Sequence, residues 1–250
     1  MFRNGIIDFI TGLQFLTRIP IVSLSEWSEE SFGRSVKFFP IIGSIIGALL
    51  FGFVYSVQHL WGSVVPIHVM AIGVIILEVF ITGGLHCDGL MDTIDGVLSG
   101  RPREQMLEIM KDSRVGAFGA MAFSLLMLVK YSLIMDIQSM VLPLALLIMP
   151  IVGRMAVVIG ITLYPYARAN GLGKVFYKCS HHKTLYIAGL TTLLLLVPLG
   201  KTAIVSAVVG IVMTLIFCQY VSEKLGGLTG DVYGAIIELT EIVALMVFVF

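Results

Sequence analysis

Charge is scarce in this sequence. Only 13% of its 250 residues are Asp, Glu, Lys or Arg, well below the roughly one quarter found in soluble domains. Hydrophobic residues make up 58%, and the mean hydropathy is +0.99. This composition excludes an ordinary soluble domain and predicts a polytopic membrane protein in contact with the lipid bilayer. The formal net charge is zero, and nothing in the chain indicates a nucleic-acid partner.

Cysteine is also rare. Cys87, Cys179 and Cys218 are odd in number and far apart, which excludes a disulfide framework and a cysteine zinc site. We find no internal repeat and no low-complexity stretch, so residues 1–250 are expected to form one domain. Residues 1–24 have no cleavage signature of a signal peptide. They carry scattered charges and predict an interfacial or re-entrant helix.

The fold class that the hydropathy pattern predicts is all-α, a bundle of transmembrane helices. Runs near the roughly 20 residues needed to cross a hydrocarbon core indicate about seven of them. These runs cover residues 39–61, 67–84, 117–135, 141–164, 184–199, 203–220 and 232–250.

Basic residues are distributed unevenly between the two sides of this arrangement. Thirteen of the sixteen Lys and Arg residues lie before the first span or after the second, fourth and sixth spans. The positive-inside rule then places the N-terminus and every polar motif in the cytoplasm. The expected location is the cell membrane, and a homo-oligomer remains possible.

Three carboxylates follow the second span. Asp88, Asp92 and Asp95 are spaced i, i+4 and i+7, which places them on one face of a helix. Close carboxylates repel one another unless a cation compensates them. Hard oxygen ligands without clustered Cys or His favour Mg²⁺, with Mn²⁺ possible, and such ions support phosphoryl transfer.

Basic residues in two of the loops are candidates for phosphate binding. Lys111 and Arg114 flank Asp112 just before the third span, and Arg168 lies in a glycine-containing loop after the fourth. Cations at a helix start suit phosphate recognition. Topology alone also predicts basic residues at a cytoplasmic boundary, so both interpretations stay open.

Five charged residues fall inside predicted spans: Glu78, Lys130, Arg154, Glu238 and Glu241. Glu238 and Glu241 lie in the last span and Arg154 lies deep in the fourth. Intramembrane charges are functional or paired with one another, and an Arg154 pair with these glutamates would hold the bundle together. Glu78 would continue the aspartate face only if Gly83 and Gly84 do not break the helix, and it is expected to support the structure by pairing with a buried cation.

With these motifs in place, the chain resembles the cobalamin synthase family, the adenosylcobinamide-GDP ribazoletransferases, along most of its length. The matching blocks are residues 15–20 with Phe39-Pro40, residues 83–96, residues 106–114, residues 166–168 with 171–173, and residues 225–231. The resemblance implies a Mg²⁺-dependent membrane enzyme. It would join adenosylcobinamide-GDP to α-ribazole or its 5′-phosphate and release GMP.

The resemblance also implies a role for each matching residue. Asp88, Asp92 and Asp95 would ligate metal, with Asp112 as a further candidate; Lys111, Arg114 and Arg168 would contact phosphates; His86 or Asp95 would act as the base; and Thr229 and Asp231 would contact substrate.

Two other functions compete with this one. A CDP-alcohol phosphotransferase also uses spaced aspartates at a membrane boundary, but its usual Ala-Arg pair after the first Asp-Gly is replaced here by Leu90-Met91. An ion-coupled transporter would explain the intramembrane charges. Transporter sites tend to lie on broken helices in repeated halves, however, and no repeat is present.

Overall fold

The computed structural model describes residues 2–20 and 28–250. Within these residues the chain is all-α and has no strand, as the sequence predicts. The helices are α1 Phe2–Leu16, α2 Glu29–Arg34, α3 Phe39–Leu60, α4 Ile67–Thr82, α5 Leu85–Val97, α6 Arg103–Ile109, α7 Ala117–Asp136, α8 Leu142–Leu163, α9 Leu172–Cys179, α10 His182–Leu196, α11 Lys201–Leu225 and α12 Gly230–Met246.

Fewer helices than the predicted seven have the length of a full span. In the described part of the chain, five are long and apolar enough to cross a membrane, and α4 with α5 makes a sixth if that bent pair is one span. The axis turns by 90° between them. The turn arises because Gly83 and Gly84 both adopt left-handed backbone conformations, with φ of 65° and 70°. α12 has 17 residues, slightly short of a full crossing.

Helix α8 is the centre of the bundle. It packs against α3, α12, α11 and α10, and almost all of its residues are buried. Gly43 and Gly47 of α3 lie against the backbone of α8 at Pro150 and Leu147. Because a side chain at either glycine would collide with that backbone, these glycines have the close-packing role expected of small residues between membrane helices.

The N-terminal helix α1 is attached to the start of the first span. Asp8 is 1% exposed, and its carboxylate lies 3.2 Å from both Arg34 Nε and Lys37 Nζ. The 15 residues of α1 rise about 22 Å, less than the roughly 30 Å hydrocarbon core. The predicted helix is therefore present and short. Met1 and residues 21–24 of the predicted segment lie outside the described residues.

Two polar loops that are distant in sequence meet at one end of the bundle. Ala167 N–H donates to Leu228 O, and Leu228 N–H donates to Pro165 O, both at 2.8 Å. The Arg103 guanidinium joins them, donating to Leu225 O at 2.7 Å and to Ala167 O at 3.0 Å. These bonds fix the loop after α8 against the start of α12.

Candidate functional site

The site is built where α5 crosses α12. A Cβ on Gly89 would lie 2.6 Å from Asp231 O, and one on Gly234 would lie 3.0 Å from His86 O. Two glycines facing each other therefore let the helix backbones approach closely. This crossing brings the aspartates of α5 beside Asp231 at the start of α12.

A cavity of about 260 Å³ opens at this crossing. Charged groups from three separate sequence blocks line it, namely Asp88, Arg168 and Asp231. His86 and Tyr233 also line it, and phenylalanines from α1, α3 and α9 form an apolar side. Four of the residues predicted for the site, Asp88, His86, Arg168 and Asp231, are thus brought together.

Arg168 is the cation of the cavity. Its Nη2 lies 2.7 Å from Asp231 Oδ2 and donates to Met110 O at 3.2 Å. Asp88, Asp92 and Asp231 are close enough to interact electrostatically, and the same guanidinium acts on Asp92 and Asp231. Three carboxylates beside one cation leave excess negative charge, so this region suits an additional cation.

Asp95 has a different setting from the other two aspartates. It is buried, and its two carboxylate oxygens accept N–H bonds from Gly116 and Gly119, each at 2.8 Å. These donors lie at the start of α7, where backbone N–H groups lack helical partners. Asp95 therefore caps α7 from another helix, and each of its oxygens accepts one backbone N–H.

The predicted loop residues 111–114 do not line the cavity. Lys111 is exposed, and Arg114 binds Asp112 in a local ion pair at 2.6 Å. Hydrogen bonds from Arg114 lower the pKa of the Asp112 carboxyl to about 2. The carbonyl of Met110, just before these residues, accepts from Arg168.

Thr229 is buried and acts within the helix terminus. Its hydroxyl accepts from Val232 N–H and donates to Asp231 Oδ2, both at 3.3 Å. This is a side-chain N-cap of α12. Thr229 thus positions Asp231 and does not itself line the cavity.

The tautomer of His86 follows from its neighbour. Arg154 Nη2 lies 3.4 Å from His86 Nδ1, and a guanidinium can only donate. Nδ1 therefore carries the lone pair and Nε2 carries the hydrogen. Nε2 is buried and has no hydrogen-bond partner among the described residues. In this tautomer His86 presents Nε2–H as a donor, and its role as a base stays a prediction.

Arg154 belongs to a buried ion network across α4, α7, α8 and α12. Lys130 Nζ lies 3.0 Å from Glu78, 3.1 Å from Glu238 and 3.3 Å from Glu241, and Arg154 also pairs with Glu241. The predicted pairing of Arg154 with a glutamate of the last helix is confirmed, as is a buried cation for Glu78. The charges that motivated a transporter are thus in contact with one another inside the bundle.

Some residues of the cavity were missed in the sequence. Tyr233 and the phenylalanines Phe15, Phe39 and Phe176 look like ordinary apolar residues of membrane helices. Phe15, Phe39 and Tyr233 occur within or next to the motif blocks, but only the packing shows that they line a cavity. Among the described residues, no three His, Cys, Asp or Glu side chains are grouped as a complete metal site.

The fold and the site together define a polytopic membrane protein whose cavity carries acidic and guanidinium groups suited to a phosphorylated ligand. The family model for cobalamin-5-phosphate synthase matches residues 8–249. The chain belongs to this family.

Curated relatives are similar over nearly their whole length. An adenosylcobinamide-GDP ribazoletransferase of Desulfitobacterium hafniense is 41% identical, covering 94% of this chain and 93% of the relative. Proteins with the same name from Brevibacillus brevis and Acetivibrio thermocellus are 38% and 36% identical. The match to the Brevibacillus brevis protein covers 96% of this chain and 97% of the relative. The match to the Acetivibrio thermocellus protein covers 94% of each. No solved structure matches the chain.

Proposed function

We propose that this protein joins adenosylcobinamide-GDP to α-ribazole, or to α-ribazole 5′-phosphate, in the membrane. The products are adenosylcobalamin, or its 5′-phosphate, and GMP. The observation that carries the proposal is the convergence of Asp88, Arg168 and Asp231 on one cavity, in a chain related along its length to proteins with that name. Each of the three residues comes from a different motif block.

The reaction is a phosphoryl transfer that balances without a redox partner. The alcohol oxygen of α-ribazole attacks the phosphorus nearer the cobinamide, and a phosphodiester bond forms. The bond from that phosphorus to the bridging oxygen breaks, and GMP leaves with the electron pair. The alcohol proton is released to a carboxylate that does not hold the metal, and Asp231 is the candidate because it lines the cavity.

Magnesium is part of the proposal. The carboxylates of Asp88, Asp92 and Asp231 offer hard oxygen donors in excess of their one cation, which suits Mg²⁺. This ion is commonly held by one or two protein carboxylates and the substrate phosphates, so a complete protein ligand set is not required. Asp88 and Asp92 would hold the ion. When bound, it supplies charge stabilisation at the transferring phosphate.

The other polar residues of the cavity bind and orient the substrates. Arg168 presents a guanidinium whose position is fixed by Asp231 and by Met110 O, and such a group binds phosphate oxygens through paired hydrogen bonds. The ion network fixes Arg154, and Arg154 in turn fixes the ring of His86. The side chains are thus positioned before substrate arrives, which favours transfer.

The orientation in the membrane is also proposed from the sequence. The loops that meet at the cavity are the ones rich in Lys and Arg, which the positive-inside rule assigns to the cytoplasm. The site would then face the cytoplasm, with the N-terminus on the same side of the cell membrane. This is checked with a cysteine introduced at the exposed residue Lys111. We expect a membrane-impermeant reagent to label it in inside-out vesicles only.

The activity is tested with purified full-length protein in detergent. We expect GMP release that requires adenosylcobinamide-GDP, α-ribazole and Mg²⁺ together, and a strong loss of rate in Asp92→Asn. Equal rates in Asp92→Asn would remove the metal assignment and leave the reaction in place. Absence of GMP with every metal and either acceptor, together with activity on a CDP-alcohol, would overturn the proposed function.

A further inference from the structure

Arg103 connects two segments of the chain that are distant in sequence. It lies between the motif blocks of residues 83–96 and 106–114, at the first position of α6, and its side chain does not line the cavity. Its Nε donates to Leu225 O at 2.7 Å, and its Nη2 donates to Ala167 O at 3.0 Å. One arginine therefore joins the end of α11 to the loop after α8.

The geometry of this contact requires a guanidinium. Leu225 is the last residue of α11, where backbone carbonyls lack helical partners and a nearby cation is stabilising. The two donors of Arg103 belong to one rigid, planar group, so they hold their two acceptors at a fixed spacing. Gly226 leaves room for the contact, because a Cβ there would lie 3.0 Å from Arg103 Nε.

The two segments carry charged residues of the cavity. Ala167, whose carbonyl Arg103 binds, directly precedes Arg168. Ala167 N–H donates to Leu228 O at 2.8 Å, three residues before Asp231. Arg168 Nη2 lies 2.7 Å from Asp231 Oδ2, and both of these side chains line the cavity. Movement of either segment would therefore displace the Arg168 guanidinium from its place in the cavity.

The far end of α6 binds the same loop. Met110 directly follows α6, and its carbonyl accepts from Arg168 Nη2 at 3.2 Å. A Cβ on Gly96 would collide with Met110 Cγ, so the end of α6 packs closely on the helix that carries the aspartates. Arg103 at the other end binds Ala167 O. The two ends of α6 thus hold consecutive residues of the loop and fix Arg168 relative to α5.

Direct contact with substrate is the other role open to an exposed arginine. All three nitrogens of the Arg103 guanidinium already have acceptors in the protein, since Nη1 lies 3.4 Å from Glu104 Oε1. The side chain also lies outside the lining of the cavity. These contacts favour a role that is exerted through the loop backbone.

We propose that Arg103 is a positioning residue for phosphate binding. It holds the Arg168 loop against the start of α12, so that the Arg168 guanidinium meets the phosphates of adenosylcobinamide-GDP in a fixed place. This inference rests on the proposed function. A guanidinium binds phosphate through paired, directed hydrogen bonds, and a displacement of about 1 Å in a site of this kind costs up to about 100-fold in rate.

The first measurement needs no substrate. Amide hydrogen exchange of the full-length protein in detergent reports how often the pairing of Ala167 with Leu228 opens. In Arg103→Ala, peptides containing these two N–H groups should exchange about tenfold faster, the effect of losing hydrogen bonds from a charged group. Arg101→Ala is the matched control, because Arg101 is an exposed arginine on the same loop. Unchanged exchange in Arg103→Ala would overturn the inference.

Steady-state kinetics show whether the loop serves the phosphorylated substrate. Arg103→Ala should raise the KM for adenosylcobinamide-GDP about tenfold and leave the KM for α-ribazole, which has no phosphate, unchanged. General loss of structure does not predict this difference, because it lowers the amount of active protein and hence the apparent kcat. Arg101→Ala should have wild-type constants. An unchanged KM for adenosylcobinamide-GDP, or an equal rise in both KM values, would contradict the inference.

A double variant shows whether Arg103 acts through Arg168. Arg168→Lys removes the paired donors and should itself raise the KM for adenosylcobinamide-GDP about tenfold. If both residues serve one phosphate contact, Arg103→Ala combined with Arg168→Lys should stay near this value. Independent effects would instead multiply to about 100-fold, and that result would overturn the inference.

The outcomes for the two proposals are separable. Wild-type protein that releases no GMP would remove the proposed reaction, whereas the exchange measurement would still decide whether Arg103 holds the two segments together. GMP release by wild-type protein, with unchanged exchange or an unchanged KM in Arg103→Ala, would remove the positioning role and keep the reaction.

Discussion

Replacing Lys130 with methionine should destabilise the whole bundle. Lys130 is 1% exposed, and its ammonium lies within 3.3 Å of carboxylates from Glu78, Glu238 and Glu241. Methionine fills a similar volume but carries no charge. The three carboxylates would then share only Arg154, which pairs with Glu241, in an interior that solvates charge poorly.

The expected magnitude follows from the burial of the network. Removing one partner of a buried ion pair costs about 3–5 kcal/mol, because the other charge stays buried without compensation. For a chain of this size each kcal/mol lowers the midpoint of thermal unfolding by about 2–4 °C. Lys130→Met should therefore unfold about 6–20 °C below wild type.

A double variant tests whether charge is the cause. Adding Glu78→Gln to Lys130→Met removes one of the uncompensated carboxylates. The double variant should therefore unfold at a higher temperature than Lys130→Met, with a coupling of about 0.5–3 kcal/mol. Simple loss of packing predicts the opposite, since two substitutions would then destabilise additively.

The assay is thermal unfolding of the full chain in detergent, followed as loss of the monodisperse peak in size-exclusion chromatography. Lys201→Met is the matched control, because Lys201 is exposed at the start of α11. The reasoning is refuted if Lys130→Met unfolds within about 2 °C of Lys201→Met, or if the double variant is less stable than Lys130→Met.

Three further substitutions separate packing, substrate binding and metal binding. Gly89→Ala places a methyl group 2.6 Å from the α12 backbone and should lower both stability and activity in the unfolding and GMP assays. The control Gly52→Ala, whose methyl group would have nothing within 4 Å, should leave both near wild type. Arg168→Lys keeps the charge but loses the paired donors, so steady-state kinetics should show a KM for adenosylcobinamide-GDP about tenfold higher; an unchanged KM would contradict the phosphate contact. In a metal titration, Asp92→Asn should raise the Mg²⁺ concentration that gives half-maximal activity. Asp95→Asn should lower stability and leave that concentration unchanged. The reverse result would show that Asp95 is the ligand.

Much of the fold could be predicted from hydropathy, because length and apolar character decide which helices form in a membrane. The pairing of Arg154 with Glu241 was predictable for a related reason, since a buried charge requires a partner. The break at Gly83 and Gly84 was foreseen only as an alternative. Its 90° angle depends on left-handed backbone at both residues and on packing against α12, and the sequence does not encode either in a local pattern.

The site was less predictable because its contacts are long-range. Asp95 has the same helical spacing as Asp88 and Asp92, and only the approach of α7, more than twenty residues later, occupies its oxygens. The neighbour of the His86 ring, the guanidinium of Arg154, is likewise distant in sequence. The use of Asp88 and Asp92 for metal, and the cytoplasmic orientation, stay predictions.

The central claim is that the acceptor alcohol attacks the phosphate attached to the cobinamide. It is tested most directly with adenosylcobinamide-GDP labelled with ³²P at that phosphate, incubated with the full-length protein, α-ribazole and Mg²⁺, and followed by separation of nucleotide from corrinoid. The account predicts that all the label is retained in the corrinoid product, with one unlabelled GMP formed for each product molecule. Label in GDP or in inorganic phosphate would contradict it.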